Sequence, residues 1–210
     1  MKGLYLMKKE DLVNVSEALN RLKGEKLRYV NRAGSMGDFG FGDDIEKKVQ
    51  RQNEHMDLIP TSENTPKFAV HIDGRFRMTC GDEIILSKND MFNPSTKKES
   101  EPNFNWDTWA TDENDGWDVR GNNRYDEICN NYFNGELFEF TVKKVTVSKW
   151  GDLKIEFENG FALEIFVDAS GDEECWCFFV ANDMNTFVTI TGQGLSVATD
   201  GGITQGSASE

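Results

Sequence analysis

Only two histidines, His55 and His71, stand among 210 residues, so catalysis built on an imidazole base has almost nothing to draw on. Four cysteines, Cys80, Cys129, Cys175 and Cys177, are too few and too scattered for a disulfide framework, and they read as reduced, buried thiols. Cys175 and Cys177 would need two further ligands to hold zinc, and neither histidine has ligand-like spacing to them, so no metal site is expected. Apolar runs are short as well. Residues 3–7 are too brief for a signal-peptide core, and nowhere do the roughly eighteen consecutive apolar residues of a membrane span occur. The sequence reads as a soluble, cytoplasmic protein. Basic residues are the other shortage: 23 Lys and Arg face 37 Asp and Glu, a net charge of −14. Such a charge repels phosphate backbones and anionic lipid, which excludes nucleic acid and membrane as expected partners and favours a basic protein. Self-association is left open.

Cofactor motifs are absent too. The glycines at 34, 37, 40 and 42 invite comparison with a phosphate loop, but no Gly-Lys-Ser/Thr ending follows, and a strand with glycine bends is expected instead. Asp112-Glu113-Asn114-Asp115-Gly116 resembles a calcium loop only superficially. Thr111 falls at its first ligand position and Asn122 where the bidentate glutamate belongs, which excludes an EF-hand. No cofactor and no catalytic residue is nominated, and an enzyme is the less favoured reading.

What the chain does contain is aromatic mass. Fifteen Phe and a hydrophobic fraction of 38% supply enough apolar surface to offset chain entropy over 210 residues. Leu12, Val15, Leu19 and Leu22 recur at helical spacing ahead of Gly24, which predicts an amphipathic helix ended by a left-handed glycine. Two stretches alternate around a turn pair. Residues 68–78 flank Asp73-Gly74, and residues 153–166 flank Asn159-Gly160, so two β-hairpins with glycines at positive φ are expected. Leu22-Lys23-Gly24-Glu25 and Phe133-Asn134-Gly135-Glu136 form comparable lead-ins, which suggests a degenerate internal repeat. Ile45, Val49 and Gln52 after Asp43-Asp44 read as a short helix followed by a polar loop, together an insertion at residues 43–66. Strands are expected around 137–147, 175–180 and 186–191, and a helical turn or two at 126–132.

The fold class that follows is α+β and strand-rich: two β-hairpin-centred halves, about 22–98 and 133–192, with an N-terminal helix and one or two short helices in one domain, residues 1–193. A flexible tail is expected over 194–210.

Residues 99–118 join the halves and are the oddest segment, with seven acidic residues, no Lys or Arg, and three of the five tryptophans. Trp106, Trp109 and Trp117 among Asp107, Asp112, Asp115 and Asp118 make a candidate docking surface, because exposed tryptophans anchor interfaces. Tryptophans covering a core edge beneath solvated carboxylates would account for the same pattern. If the segment is a docking surface, replacing Asp112, Asp115 and Asp118 together with Asn slows association and leaves the fold intact, because these side chains are expected at the surface. A second candidate is a small-ligand or enzymatic pocket in which His71, Arg75 and Arg77 share one hairpin face as an anion site, although pairing with neighbouring carboxylates would also explain them.

Phe68-Ala69-Val70-His71-Ile72-Asp73-Gly74-Arg75-Phe76-Arg77, Ser87-Lys88-Asn89-Asp90-Met91-Phe92-Asn93-Pro94, Gly151 through Phe166, and Glu174-Cys175-Trp176-Cys177-Phe178-Phe179 together resemble a family of small bacterial proteins without assigned activity. The likeness implies no catalytic residue. In its acidity and strand content the chain is also generically similar to immunity proteins, which block a toxin by covering its basic surface. That likeness implies a non-enzymatic inhibitor of a basic bacterial protein toxin.

Overall fold

The computed structural model describes residues 6–52, 58–134 and 139–196. His55 and the second lead-in from Gly135 lie outside these residues. The fold is α+β and strand-rich, with two antiparallel sheets. Numbered along the chain, β1 (Leu27–Ala33), β2 (Met36–Gln52), β3 (Leu58–Ile72), β9 (Glu174–Val180), β10 (Asp183–Thr191) and β11 (Gly194–Ser196) are adjacent in that order in the first sheet. The second runs β5 (Glu83–Ser87), β4 (Arg75–Cys80), β8 (Phe161–Phe166), β7 (Leu153–Phe157), β6 (Val142–Val147). Each sheet therefore draws strands from both halves of the chain. Alternation decides the inner faces: Phe39, Phe41, Val70, Ile72, Trp176 and Phe178 from the first sheet join Phe76, Met78, Ile155, Leu163 and Ile165 from the second in one core. Phe39 and Phe76 meet edge to face across it, with centroids 5.5 Å apart.

The N-terminal helix α1 (Lys9–Asn20) lays Val15 and Leu19 against β6 and β10, and Gly24 follows at φ 85°. The helical turns expected at 126–132 are present as α4 (Arg124–Ile128), which runs on into a π turn, Cys129–Phe133. The glycine stretch is a strand, as expected. Gly37 lies so close to Phe76 that an added Cβ would sit 2.8 Å from its ring, and Gly40 leaves room for the Tyr29 ring.

The hairpin of β7 and β8 is present, closed by Glu158, Asn159 and Gly160, with Gly160 at φ 87° and its N–H bonded to Phe157 O. Only glycine of the pair has positive φ, so the turn is the three-residue kind and not type I′. A Cβ added at Gly160 would meet no described atom within 4 Å, so the cost of a side chain there is backbone strain. Gly160→Val is accordingly expected to lose about 1–3 kcal/mol in urea denaturation; an unchanged midpoint would show that the loop relaxes freely.

The first expected hairpin does not exist. β3 ends at Ile72 in one sheet and β4 starts at Arg75 in the other, so Asp73-Gly74 is a crossing between sheets. Gly74 has no positive φ. Glycine is needed there because a Cβ would lie 2.9 Å from Phe166 O and 3.1 Å from Cys175 O, while the Gly74 N–H bonds Cys175 O at 2.7 Å. The two stretches compared as repeats are thus different structures. Residues 43–52 and 58–66, the described part of that stretch, also differ from expectation: they carry no helix, and β2 and β3 continue through them as a paired ribbon from Asp44↔Pro66 to Gln52↔Leu58. Gly194–Ser196, placed in the tail by composition, pairs with β10 from Thr189 to Thr191. Residues 197–210 lie outside the described ones. Among the described residues, no helix is long and apolar enough to cross a membrane.

Candidate functional site

The acidic segment is built as a string of capped turns. Ser95 accepts from Lys98 N to start α2 (Thr96–Glu99), and Asn105 Oδ1 accepts from Asp107 N at 2.9 Å to start α3 (Trp106–Trp109). Asp112 Oδ1 then accepts from the backbone N–H groups of Asn114 and Asp115, which turns the chain back.

Two cations from outside the segment hold it down. Lys98, with a side chain only 8% exposed, reaches Asp115 Oδ2 at 2.6 Å and Glu101 Oε2 at 2.8 Å. The Lys98 ammonium, with help from Asn122, holds the Asp115 carboxyl below its ordinary pKa. Arg32, on the inward face of β1 and 1% exposed, forks onto Asp126 through Nε and Nη2, each at 2.9 Å. Its Nη1 donates to Asp118 Oδ1 at 2.6 Å, and its Nη2 to Asp118 O at 3.0 Å. Burial works against the guanidinium charge, yet hydrogen bonds to Asp126 and then Asp118 raise its pKa overall. The same guanidinium lies 5.9 Å from the centroid of Trp117, whose other neighbour is Phe92 at 4.8 Å.

The seven nominated residues therefore separate by role. Asp115 and Asp118 lie at the surface as expected, each 61% exposed, and each also pairs with a largely buried cation. Trp117 is half-buried over Arg32, and Trp109 is buried. Trp106 remains 47% exposed, edge-on to Trp109 at 5.4 Å and beside Phe104 at 5.8 Å. Asp107, Asp112 and Glu113 around this trio are exposed. Among the described residues, the buried donor Trp109 Nε1 has no hydrogen-bond partner.

His71, Arg75 and Arg77 do not share a face, because the sheet crossing at Gly74 parts them. His71 Nε2 lies 3.3 Å from Asp38 Oδ1, which also accepts from Tyr29 OH at 3.1 Å, and its ring meets Phe179 edge-on at 4.6 Å. Burial first, then the Asp38 charge, pushes the Tyr29 phenol up. On the other sheet Arg75 Nε lies 3.5 Å from Asp168 Oδ2, and Arg77 bonds Glu164 at 2.6 Å while resting 5.4 Å over Phe166. Each of the three has its own carboxylate.

Thiol chemistry finds no support here: burial pushes the Cys129 and Cys175 thiols up, and Cys177 up to about 12, the reverse of a reactive cysteine. Among the described residues, no three His, Cys, Asp or Glu side chains are placed to hold a metal ion. A polar hollow of about 210 Å³ opens beside Arg120, Asp126 and Asn134, but those side chains already bond Asn31 and Arg32 O, Arg32 and Val30 respectively. No protein-family model, curated protein or solved structure matches the chain.

Sequence reasoning missed Arg32, Lys98 and Asp126. A signal for one of them existed, since Arg32 shares the parity of Val30 and so falls on the inward face of β1.

Proposed function

We propose that the protein is a non-enzymatic binding protein that docks a basic protein through the Phe104–Trp106–Trp109 trio and its ring of carboxylates. The most concrete partner class is a basic bacterial protein toxin, held in the manner of an immunity protein. The single observation that carries this reading is the unpartnered Trp109 indole N–H inside an aromatic trio on an acidic surface. A buried donor without an acceptor costs about 1–3 kcal/mol, and a backbone carbonyl from a partner that displaces Trp106 would supply the acceptor. Trp106 provides the apolar anchor; Asp107, Asp112 and Glu113 steer a cationic surface toward it. Asp115, Asp118 and Trp117 serve from beneath by keeping the segment folded.

The test titrates the chain against a panel of purified basic bacterial toxin domains at rising salt. Trp106→Ala is expected to speed dissociation by about tenfold or more. Asp107→Asn with Asp112→Asn should slow association and flatten its salt dependence. Trp109→Phe keeps a ring but removes the orphan donor, so its stability should stay within about 1 kcal/mol of wild type while binding weakens. Failure to bind any member of the panel, or a complex indifferent to these changes and to salt, would overturn the assignment.

A further inference from the structure

Along its first half β2 is paired on both sides, but β1 leaves it at Leu27↔Phe41, and the Gly42 bulge follows at φ 78°. Among the described residues, the only strand beside β2 from Asp44 to Gln52 is β3, and β3 in turn meets β9 only from Phe68 onward. Nine successive pairs thus form a two-stranded ribbon standing off the sheet. Such a ribbon is marginal by itself in water, and each open edge is a template for another strand.

The free edge of β1 is managed quite differently. The Asn134 amide imitates a neighbouring strand by accepting from Val30 N at 2.9 Å and donating to Val30 O at 3.0 Å, and Tyr125 and Arg120 take the carbonyls of Asn31 and Arg32. Along the arm only the Glu46 carbonyl is taken in a comparable way, by Asn182 Nδ2 at 3.0 Å, among the described residues. The β3 edge carries Pro60 and Pro66, which have no N–H to offer. That leaves β2 as the edge better equipped to pair.

Its sequence is polarised: Asp43-Asp44-Ile45-Glu46 puts the acids first, and Lys47-Lys48-Val49-Gln50-Arg51 puts the bases after. A strand charged in this way complements itself when reversed. We propose that the β2 edge of the arm pairs antiparallel with the same edge of a second copy, about a twofold axis at Lys47, and joins two first sheets into one. In that register Glu46 faces Lys48 of the second copy, Ile45 faces its Val49, and Asp44 faces its Gln50. Glu46 and Lys48 are exposed, while Ile45 and Val49 are half-buried on the opposite side of the ribbon, so charged pairs line one side of the new contact and apolar pairs the other. The two Lys47 residues meet at the axis, each standing opposite Glu63 of its own ribbon. Isologous pairing of this kind closes after two copies and leaves no open end.

The test is sedimentation velocity of the whole chain over a wide concentration range, with no other protein present. Wild type is expected to show a concentration-dependent dimer. Glu46→Lys replaces two attractive cross-strand pairs with two repulsive ones and should weaken dimerisation by about tenfold or more. Lys48→Glu should do the same. Mixing the two single variants restores both pairs in a heterodimer, and the double exchange E46K/K48E restores them in a homodimer. Within its own ribbon Glu46 faces Asn64 and Lys48 faces Ser62, both neutral, so the exchanges leave the arm's internal charge pairing alone, which circular dichroism checks. A wild type monomeric at every concentration overturns the proposal, and so does a dimer that ignores E46K or a pair of variants that fails to recombine. None of these outcomes depends on the acidic surface, so they are separable from failure of the toxin reading.

Discussion

Arg32→Met is expected to lose about 3–5 kcal/mol of stability in urea denaturation, because it strands a carboxylate that the fold has removed from water. The Asp126 side chain is 6% exposed and receives both arms of the guanidinium fork; the Gly121 N–H alone, at 2.8 Å, cannot replace that charge. The same substitution releases Asp118 and the Trp117 carbonyl, leaving Arg120 and Tyr125, on the Arg32 and Asn31 carbonyls, to hold residues 117–126 to β1. Two further variants apportion the effect. Asp118→Asn should cost no more than about 1 kcal/mol, since the carboxylate is 61% exposed and solvent takes over much of its role. Arg32→Met combined with Asp126→Leu should recover much of the loss, because an apolar pair buries no unpaired charge. If Arg32→Met costs no more than Asp118→Asn, the clamp does not anchor the segment.

Trp176→Ala is expected to cost a comparable 3–5 kcal/mol, roughly the range for emptying a large aromatic site in a core. Trp176 lies on the inner face of β9, fully buried, with its indole N–H on Gly151 O at 2.9 Å. It thereby ties the first sheet to the turn that precedes β7 in the second. Gly151 has φ 92°, and a Cβ there would lie 2.8 Å from Ile190. Trp176→Phe keeps most of the packing but leaves that carbonyl without its donor, so a loss of about 1–3 kcal/mol is expected, intermediate between wild type and alanine. Thermal or urea unfolding followed by circular dichroism measures both; equal losses for Phe and Ala would show that the hydrogen bond, not the ring volume, carries the effect.

The acidic segment shows where local reading stops. Its Trp-rich, base-free composition marked residues 99–118 as unusual, and Trp106 is indeed an exposed aromatic among carboxylates. Yet counting charges inside the segment missed Lys98 immediately before it and Arg32 on β1, and these decide which carboxylates are free. All four carboxylates at Asp107, Asp112, Asp115 and Asp118 are exposed, but Asp115 and Asp118 are paired with Lys98 and Arg32. Residues 43–66 show the same limit in another form. Ile45 and Val49 are four apart and suit a helix, but they also share strand parity with Lys47, and only the pairing partner, Thr61 to Thr65 on β3, selects the strand.

Some features were settled by sequence alone because their causes lie within a few residues. The spacing of Leu12, Val15, Leu19 and Leu22 determines α1, which ends at Asn20 with Gly24 closing the turns that follow it, and alternation around Asn159-Gly160 determines the β7–β8 hairpin, because side-chain periodicity and glycine's freedom at positive φ are local properties. The excess of acids over bases likewise belongs to the chain in any conformation. Tertiary structure decided the rest. Asp73-Gly74 has the same turn chemistry as Asn159-Gly160, but β3 finds β2 and β9 while β4 finds β5 and β8, so the chain crosses between sheets and parts His71 from Arg75 and Arg77. Which strands pair is a competition among distant segments for one apolar core, and no short window of sequence contains the competitors.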